Sequence, residues 1–287
     1  MASELRFLTV GDLEIVSLPD AIGTFGTYEE LFPSTVESVW DPWRMKLPEL
    51  FKGEAWMVPF GAFLARGSQA TVLIDTGLGP PPGEEDFMHV RQGWLPQSLE
   101  AAGVAPDDVN IVFSTHHHSD HIGWNVKAGR PLFPHARYVN GAAAWDWTLS
   151  NRTEDWILAQ LTPLLEAGVA DLVENGAEIA PGITAIATPG HYPGHMSVLI
   201  DSGGQRAIVL ADVAVHPAQI SNPEIAYAFD VDPHEATETR RSFFARLRRT
   251  ECAVLCSHYP RGGIGRLVGD GESMYWEPNE ASRPEGE

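Results

Sequence analysis

Short apolar runs separated by Gly, Pro and polar clusters recur along most of the chain, and their spacing predicts a strand-rich α/β protein. Residues 5–10 and 13–18 flank Gly11-Asp12, a hairpin-type turn. Residues 57–65 and 70–74 form a second strand pair, turning at Arg66-Gly67-Ser68. Residues 94–102, closed by Gly103, predict a helix. The run 109–113 reads as a buried strand, and 136–139 as a short one. Helices are expected at 142–149 and 154–167, with Pro163 kinking or breaking the second. Strands are expected again at 169–173, 183–188, 196–201, 206–210 and 253–256. Between the last two, Asp232-Pro233-His234-Glu235 starts a helix running to about Thr250, with Asp as cap and Pro at its first position. Ala236, Phe243, Phe244 and Leu247 are its apolar stripe, and its arginines read as a solvated face.

Residues 20–56 break this rhythm. They carry Phe25, Tyr28, Phe32, Trp40, Trp43, Phe51 and Trp56 with no clear period. So many large apolar side chains exclude a disordered linker. The segment is expected to be an irregular arm that packs against the mouth of a site, a partner subunit or its own flank. Apolar surface of this kind should not stay in water, so a homodimer contact is expected. Residues 1–270 read as a single domain and 271–287 as a polar tail that frays.

Composition narrows the function. No apolar run approaches the roughly 18 residues needed to cross a membrane, and Met1–Arg6 shows no basic stretch followed by an apolar core, which points to the cytoplasm. Cys252 and Cys256 are read as small unbridged thiols. The net charge of −20, with three lysines, disfavours nucleic acid and anionic membranes as partners. A small neutral substrate remains.

The chemistry concentrates where the strand at 109–113 ends. His116, His117, His118, Asp120 and His121 fall within six residues. Packing does not explain that density, because buried imidazoles need partners and imidazole is the commonest metal ligand. His116 and His118 alternate and point the same way in extended chain, so they can hold one metal. Asp120 and His121 follow a turn and suit a second. Asp75, before Gly77, reads as an Asx turn or as the acceptor for a ligand histidine's other ring nitrogen. Trp124 reads as core or pocket wall, and His216 as a pocket-lining residue. His89, His135 and His234 lack any cluster and read as surface residues.

Five motifs in order carry a resemblance: Ile74-Asp75-Thr76-Gly77, the histidine cluster, Thr188-Pro189-Gly190-His191-Tyr192-Pro193-Gly194-His195, Leu210-Ala211-Asp212 and Cys256-Ser257-His258. The chain resembles the metallo-β-lactamase superfamily, within it the methyl parathion hydrolase and quorum-quenching lactonase branch. The resemblance implies an αββα sandwich, two mixed sheets packed face to face with helices outside. It implies that His116, His118 and His191 hold one divalent ion, that Asp120, His121 and His258 hold another, and that Asp212 bridges them, with His195 in a turn or supporting position. Zinc suits such ligands, as do iron, manganese and cobalt. Asp120 and Asp212 are then part of the catalytic apparatus. The implied reaction is hydrolysis of a lactone, ester or phosphotriester by a hydroxide shared between the ions. Alternatives are a thioesterase resembling glyoxalase II and a persulfide dioxygenase-type oxidoreductase. The arm fits a branch in which such arms form dimers. One departure stands out: some lactonases carry Tyr three residues after the bridging Asp, where this chain has Val215.

Overall fold

The computed structural model describes residues 5–24, 26–33, 35–80, 90–91, 93–151, 154–269 and 274–279. His89, Phe25 and residues 280–287 of the expected tail lie outside them.

Two sheets are each built from consecutive strands. The first runs β1 (Arg6–Val10), β2 (Leu13–Gly23), β3 (Val58–Arg66), β4 (Thr71–Ile74), β5 (Ile111–Ser114), β6 (Arg137–Gly141) and β7 (Ala170–Val173), with Val90–Arg91 paired to β2. The first three pairings are antiparallel; β4/β5, β5/β6 and β6/β7 are parallel. The second runs β8 (Glu178–Ala180), β9 (Ile183–Ala187), β10 (Met196–Ser202), β11 (Gln205–Val209), β12 (Ala253–Leu255), β13 (Ile264–Val268) and β14 (Tyr275–Pro278). Only β11/β12 is parallel there.

Each parallel step needs a long crossover, and the helices supply most of them. α1 (Leu95–Ala101) lies between β4 and β5. A short α2 (Ser119–Ile122) follows β5. α3 (Ala142–Ser150) and α4 (Asp155–Glu166) join β6 to β7, and α5 (Pro233–Leu247) precedes β12.

Alternation along each strand sorts side chains between two layers. Ile111 and Phe113 face a core between the sheets, with Ile74, Val139, Val198 and Leu255. Val112 faces outward into a second core with Leu95, Leu99 and Leu161. On the far side Ile208 and Val254 pack against Phe243 and Phe244 of α5. The result is the expected αββα sandwich, with strand carboxyl ends delivering β4, β5 and β11 to one edge.

Four differences are informative. Residues 170–173 close the edge of the first sheet, where they pair parallel to β6. The polar tail is interrupted by β14, whose Trp276 is buried and donates from Nε1 to the Val254 carbonyl. Pro163 does not break α4, which continues to Glu166. Arg240 is not on a solvated face: it is buried against a carboxylate described below.

The arm packs on its own chain. Tyr28, Phe32, Trp40, Trp43 and Trp56 are buried together with Val215, Ala218 and Tyr227. Thr27 and Glu30 form a reciprocal capping box on Tyr28–Leu31. Those large rings are thus covered without a partner. Among the described residues no helix is long and apolar enough to cross a membrane.

Candidate metal centre

Seven side chains from five segments converge at the shared sheet edge. His116 and His118 leave the end of β5, and Asp120 and His121 lie in α2. His191 sits in the loop after β9, Asp212 in a single turn after β11, and His258 after β12. Backbone geometry fixes several of these. Ala211, just before Asp212, has φ 49°, a left-handed conformation that non-glycine residues rarely adopt and that concentrates at functional sites. Asp75 shares it at φ 61°. Gly190, before His191, has φ 119°, and a Cβ there would lie 2.2 Å from the Ala236 amide nitrogen. Only glycine lets this loop press against the start of α5.

Two ligand groups share one carboxylate. His118 Nδ1 lies 3.0 Å from both His116 Nε2 and His191 Nε2. Asp212 Oδ2 faces this group, 3.2 Å from His191 Nε2 and 3.8 Å from His116 Nε2. Asp212 Oδ1 faces the other group, 3.3 Å from His121 Nε2 and 3.2 Å from His258 Nε2. Asp120 Oδ2 completes that group at 3.6 and 3.4 Å from the same two nitrogens. Tetrahedral ligands about 2.1 Å from a zinc ion stand about 3.4 Å from one another, so these spacings suit one small divalent ion per group.

The ring tautomers give a stronger test. His121 Nδ1 lies 2.8 Å from Asp75 Oδ2, His191 Nδ1 3.0 Å from Asp230 Oδ1, and His258 Nδ1 3.0 Å from the Pro59 carbonyl. His116 Nδ1 lies 3.2 Å from Thr115 Oγ1, whose own proton goes to Asp75. Each acceptor draws the proton to Nδ1 and leaves the inward Nε2 with a lone pair, as a metal ligand requires. His121 Nε2 and Asp212 Oδ1 are sealed from solvent with no hydrogen-bond partner. Buried polar atoms are seldom left so, and an ion is the group that satisfies both. The donor set therefore fits two divalent metals.

The protonation landscape agrees. Burial, and then the neighbouring imidazoles, hold His116 and His118 well below the ordinary histidine value. Burial also works against a charged His191, but Asp212 and Asp230 outweigh it and raise its pKa to about 9. Burial would raise Asp212, yet His121, His258 and His191 hold it well below the carboxylate range.

Asp75 and His195, expected in supporting positions, both lie against the seven side chains. Asp75 accepts from His121 and from the Thr115 amide and hydroxyl. His195 Nε2 accepts from the Asp212 amide at 3.1 Å, and its Nδ1 meets the Thr188 carbonyl at 3.0 Å. It holds the bridging residue's backbone rather than an ion. His117 lies outside the ligand groups, tied to Thr148 and Asn140. His135 and His234 are exposed as expected.

For Trp124 the core alternative holds, and for His216 the pocket expectation is corrected. Trp124 is core: its Nε1 donates to Asp20 at 2.9 Å, and its ring packs under the first sheet. His216 does not line the pocket. It is completely buried in a box of arm aromatics, with ring centroids of Tyr28, Phe32, Trp40, Trp43 and Trp56 all within 5.8 Å. Val215 lies in the same cluster.

Sequence reading missed four residues. Asp20, fully buried, accepts from the amides of Leu78, Gly79 and Leu95 and from Trp124, and so ties together the loops behind Asp75. Asp230 orients His191, and buried Arg240 donates to its other oxygen at 3.1 Å. Tyr227 stacks on His191, with ring centroids 5.9 Å apart and planes 21° apart. Burial, then the carboxylates of Asp212, Asp120 and Asp230, push its phenol well above the ordinary value.

Comparison with known proteins agrees with this fold. The sequence matches the metallo-beta-lactamase superfamily over residues 62–258, more than half of the chain. The chain belongs to that superfamily. An N-acyl homoserine lactonase of Bacillus thuringiensis is 22% identical over 222 residues, spanning 73% of this chain and 84% of the relative. Among solved structures, the hydrolase AbOPH superposes with a TM-score of 0.86 at 23% identity, covering 99% of each chain. AidC, a dizinc quorum-quenching lactonase with a product bound, gives 0.84 at 22% identity, covering 98% of this chain and 99% of its own. Family membership and the seven convergent ligands make this superfamily member a metal-dependent hydrolase.

Proposed function

We propose that the protein hydrolyses a small neutral substrate with an activated acyl or phosphoryl centre, with a lactone first and open esters and phosphotriesters as alternatives. The observation that carries the reading is the split of Asp212, one oxygen to each ligand group. Two divalent ions, if held there by His116, His118 and His191 and by Asp120, His121 and His258, with Asp212 between them, would supply the activation of a water and the polarisation of the attacked bond. Their charge would outweigh that of Asp120 and Asp212, so the cage would suit a neutral electrophile that turns anionic. The protein's own groups do the rest. Asp75 and Asp230 keep His121 and His191 in their ligating tautomer, while His195 holds the Asp212 backbone. An aromatic rim flanks one side: Tyr192 against His118, Trp147 against Tyr192, and Phe229, half exposed, against Tyr227. Such a rim favours an apolar substituent on the substrate. The lactonase names among the relatives support the same choice.

The test is a panel of lactones, aryl esters, phosphotriesters and thioesters, run on protein with measured metal content. Lactone turnover that is lost on chelation and restored by zinc is expected. Turnover of thioesters alone, or activity indifferent to chelation, would replace this reading.

A further inference from the structure

Tyr227 is a polar side chain against this centre that belongs to neither ligand group. Its backbone amide points to Asp230 Oδ2 at 3.3 Å, which ties the residue to the loop that orients His191. Its ring lies parallel to the His191 ring. Phe32 at 5.5 Å, Trp56 at 6.2 Å and Phe229 at 5.4 Å hold the ring from the other sides. The residue is 7% exposed, so its orientation is set by packing.

The hydroxyl is the exception. It makes no hydrogen bond to another described residue, yet it is not one of the partnerless atoms sealed from solvent. Buried phenols normally find a partner. This one belongs to a ring stacked on His191, beside the ligand cage. Tyr192, which meets His118, differs: its hydroxyl is committed to Thr148 at 2.7 Å. Tyr28 likewise gives its hydroxyl to the Leu50 carbonyl. A phenol keeps its proton at neutral pH, so Tyr227 offers a neutral donor beside the ligand cage.

We propose that Tyr227 is a catalytic residue, whose hydroxyl donates a hydrogen bond to the substrate oxygen on which negative charge develops. The proton stays on the phenol throughout. This inference rests on the hydrolase reading above, and its test separates the two.

Tyr227→Phe removes one oxygen and keeps the ring on His191. Wild type and variant are loaded with zinc and their metal content is measured. Both are then assayed on whichever neutral substrate the wild type turns over, and titrated with inorganic phosphate by calorimetry. The expected result is full metal content, kcat lower by about 100-fold with KM little changed, and phosphate bound about tenfold more weakly. An unchanged kcat overturns the proposal. So does loss of an ion from the variant, which would make Tyr227 a prop for His191. If the wild type hydrolysed nothing on the panel, the hydrolase reading would fall, and phosphate affinity alone would decide whether the hydroxyl is a donor at this centre.

Discussion

Two regions of the molecule bury imidazole completely, and they use it in opposite ways. At the metal centre, His116, His121, His191 and His258 each have one ring nitrogen fixed by an acceptor and the other turned toward Asp212. Beneath the arm, His216 accepts from the Ala218 amide through Nδ1, meets the Tyr28 hydroxyl at 3.4 Å through Nε2, and is otherwise walled by aromatic rings. No carboxylate stands among the causes of its shift, and burial alone pushes it down to about 3. Burial does not therefore distinguish a ligand from a core residue. The difference lies in what faces the second nitrogen, a convergent set of lone pairs or a single hydroxyl, that of Tyr28 at 3.4 Å.

That contrast predicts which substitutions strike function and which strike stability. The largest effect on function is expected at Asp212. Asp212→Ala removes the one residue common to both ligand groups, so it should lower metal content and cut the rate by a factor of about 100 or more. Circular dichroism should show the arm and sheets intact. A variant with two ions and near-normal rate would break the comparison at its centre.

Trp40→Ala is the mirror experiment. Trp40 is 1% exposed and packs on Tyr28, Phe32 and His216. Truncating such a ring typically costs about 3–5 kcal/mol. Denaturant unfolding should show that loss while folded protein still takes up two ions. Loss of metal from well-folded protein would mean that the arm reaches the centre more directly.

Asp230→Asn should be milder. It keeps the shape of His191's partner but leaves buried Arg240 without its charge. Replacing such a partner typically lowers metal affinity about 10–100-fold. Competition with a chelator measures it, and an unchanged affinity would show that Asp230 serves packing alone.

The smallest effect is a slope. His216 has a folded pKa of about 3, below the ordinary 6.5. Above pH 6.5 it is neutral in both states and adds no pH dependence. Between 6.5 and 3 the unfolded chain binds a proton that the folded chain refuses, so stability falls as pH falls, by about 1.4 kcal/mol per unit. His216→Phe should flatten the decline of unfolding free energy over that window, relative to wild type. It should also cost some stability at every pH through the orphaned Ala218 amide, so the slope is the readout. An identical slope would show that His216 is solvated or charged in the folded protein.

The sequence made the ligand groups readable because each motif is short and follows a strand end. His116 to His121, His191, Asp212 and His258 needed only strand positions to be brought to one edge. The supporting charges were not readable, because their types mean other things locally. Arg240 lies on a helix whose other arginines, such as Arg241 and Arg246, do face solvent. Only Asp230, ten residues back, explains its burial. Asp20 reads as an ordinary loop carboxylate until residues 58 to 104 positions away close on it. The arm hid its role for a related reason: its rings follow no period because they surround a single side chain, His216. Strands β8 and β13 escaped because they are short and lie beside turns, and β14 because its apolar content is mainly one tryptophan.

The central claim is that one carboxylate joins two metal sites. A crystal structure of zinc-loaded protein, with anomalous scattering at the zinc edge, tests it most directly. The expected map has two peaks per chain, one touching His116, His118 and His191, the other touching Asp120, His121 and His258, with Asp212 reaching both. A single peak after full loading, or two peaks with Asp212 bound to neither or to only one, would contradict it.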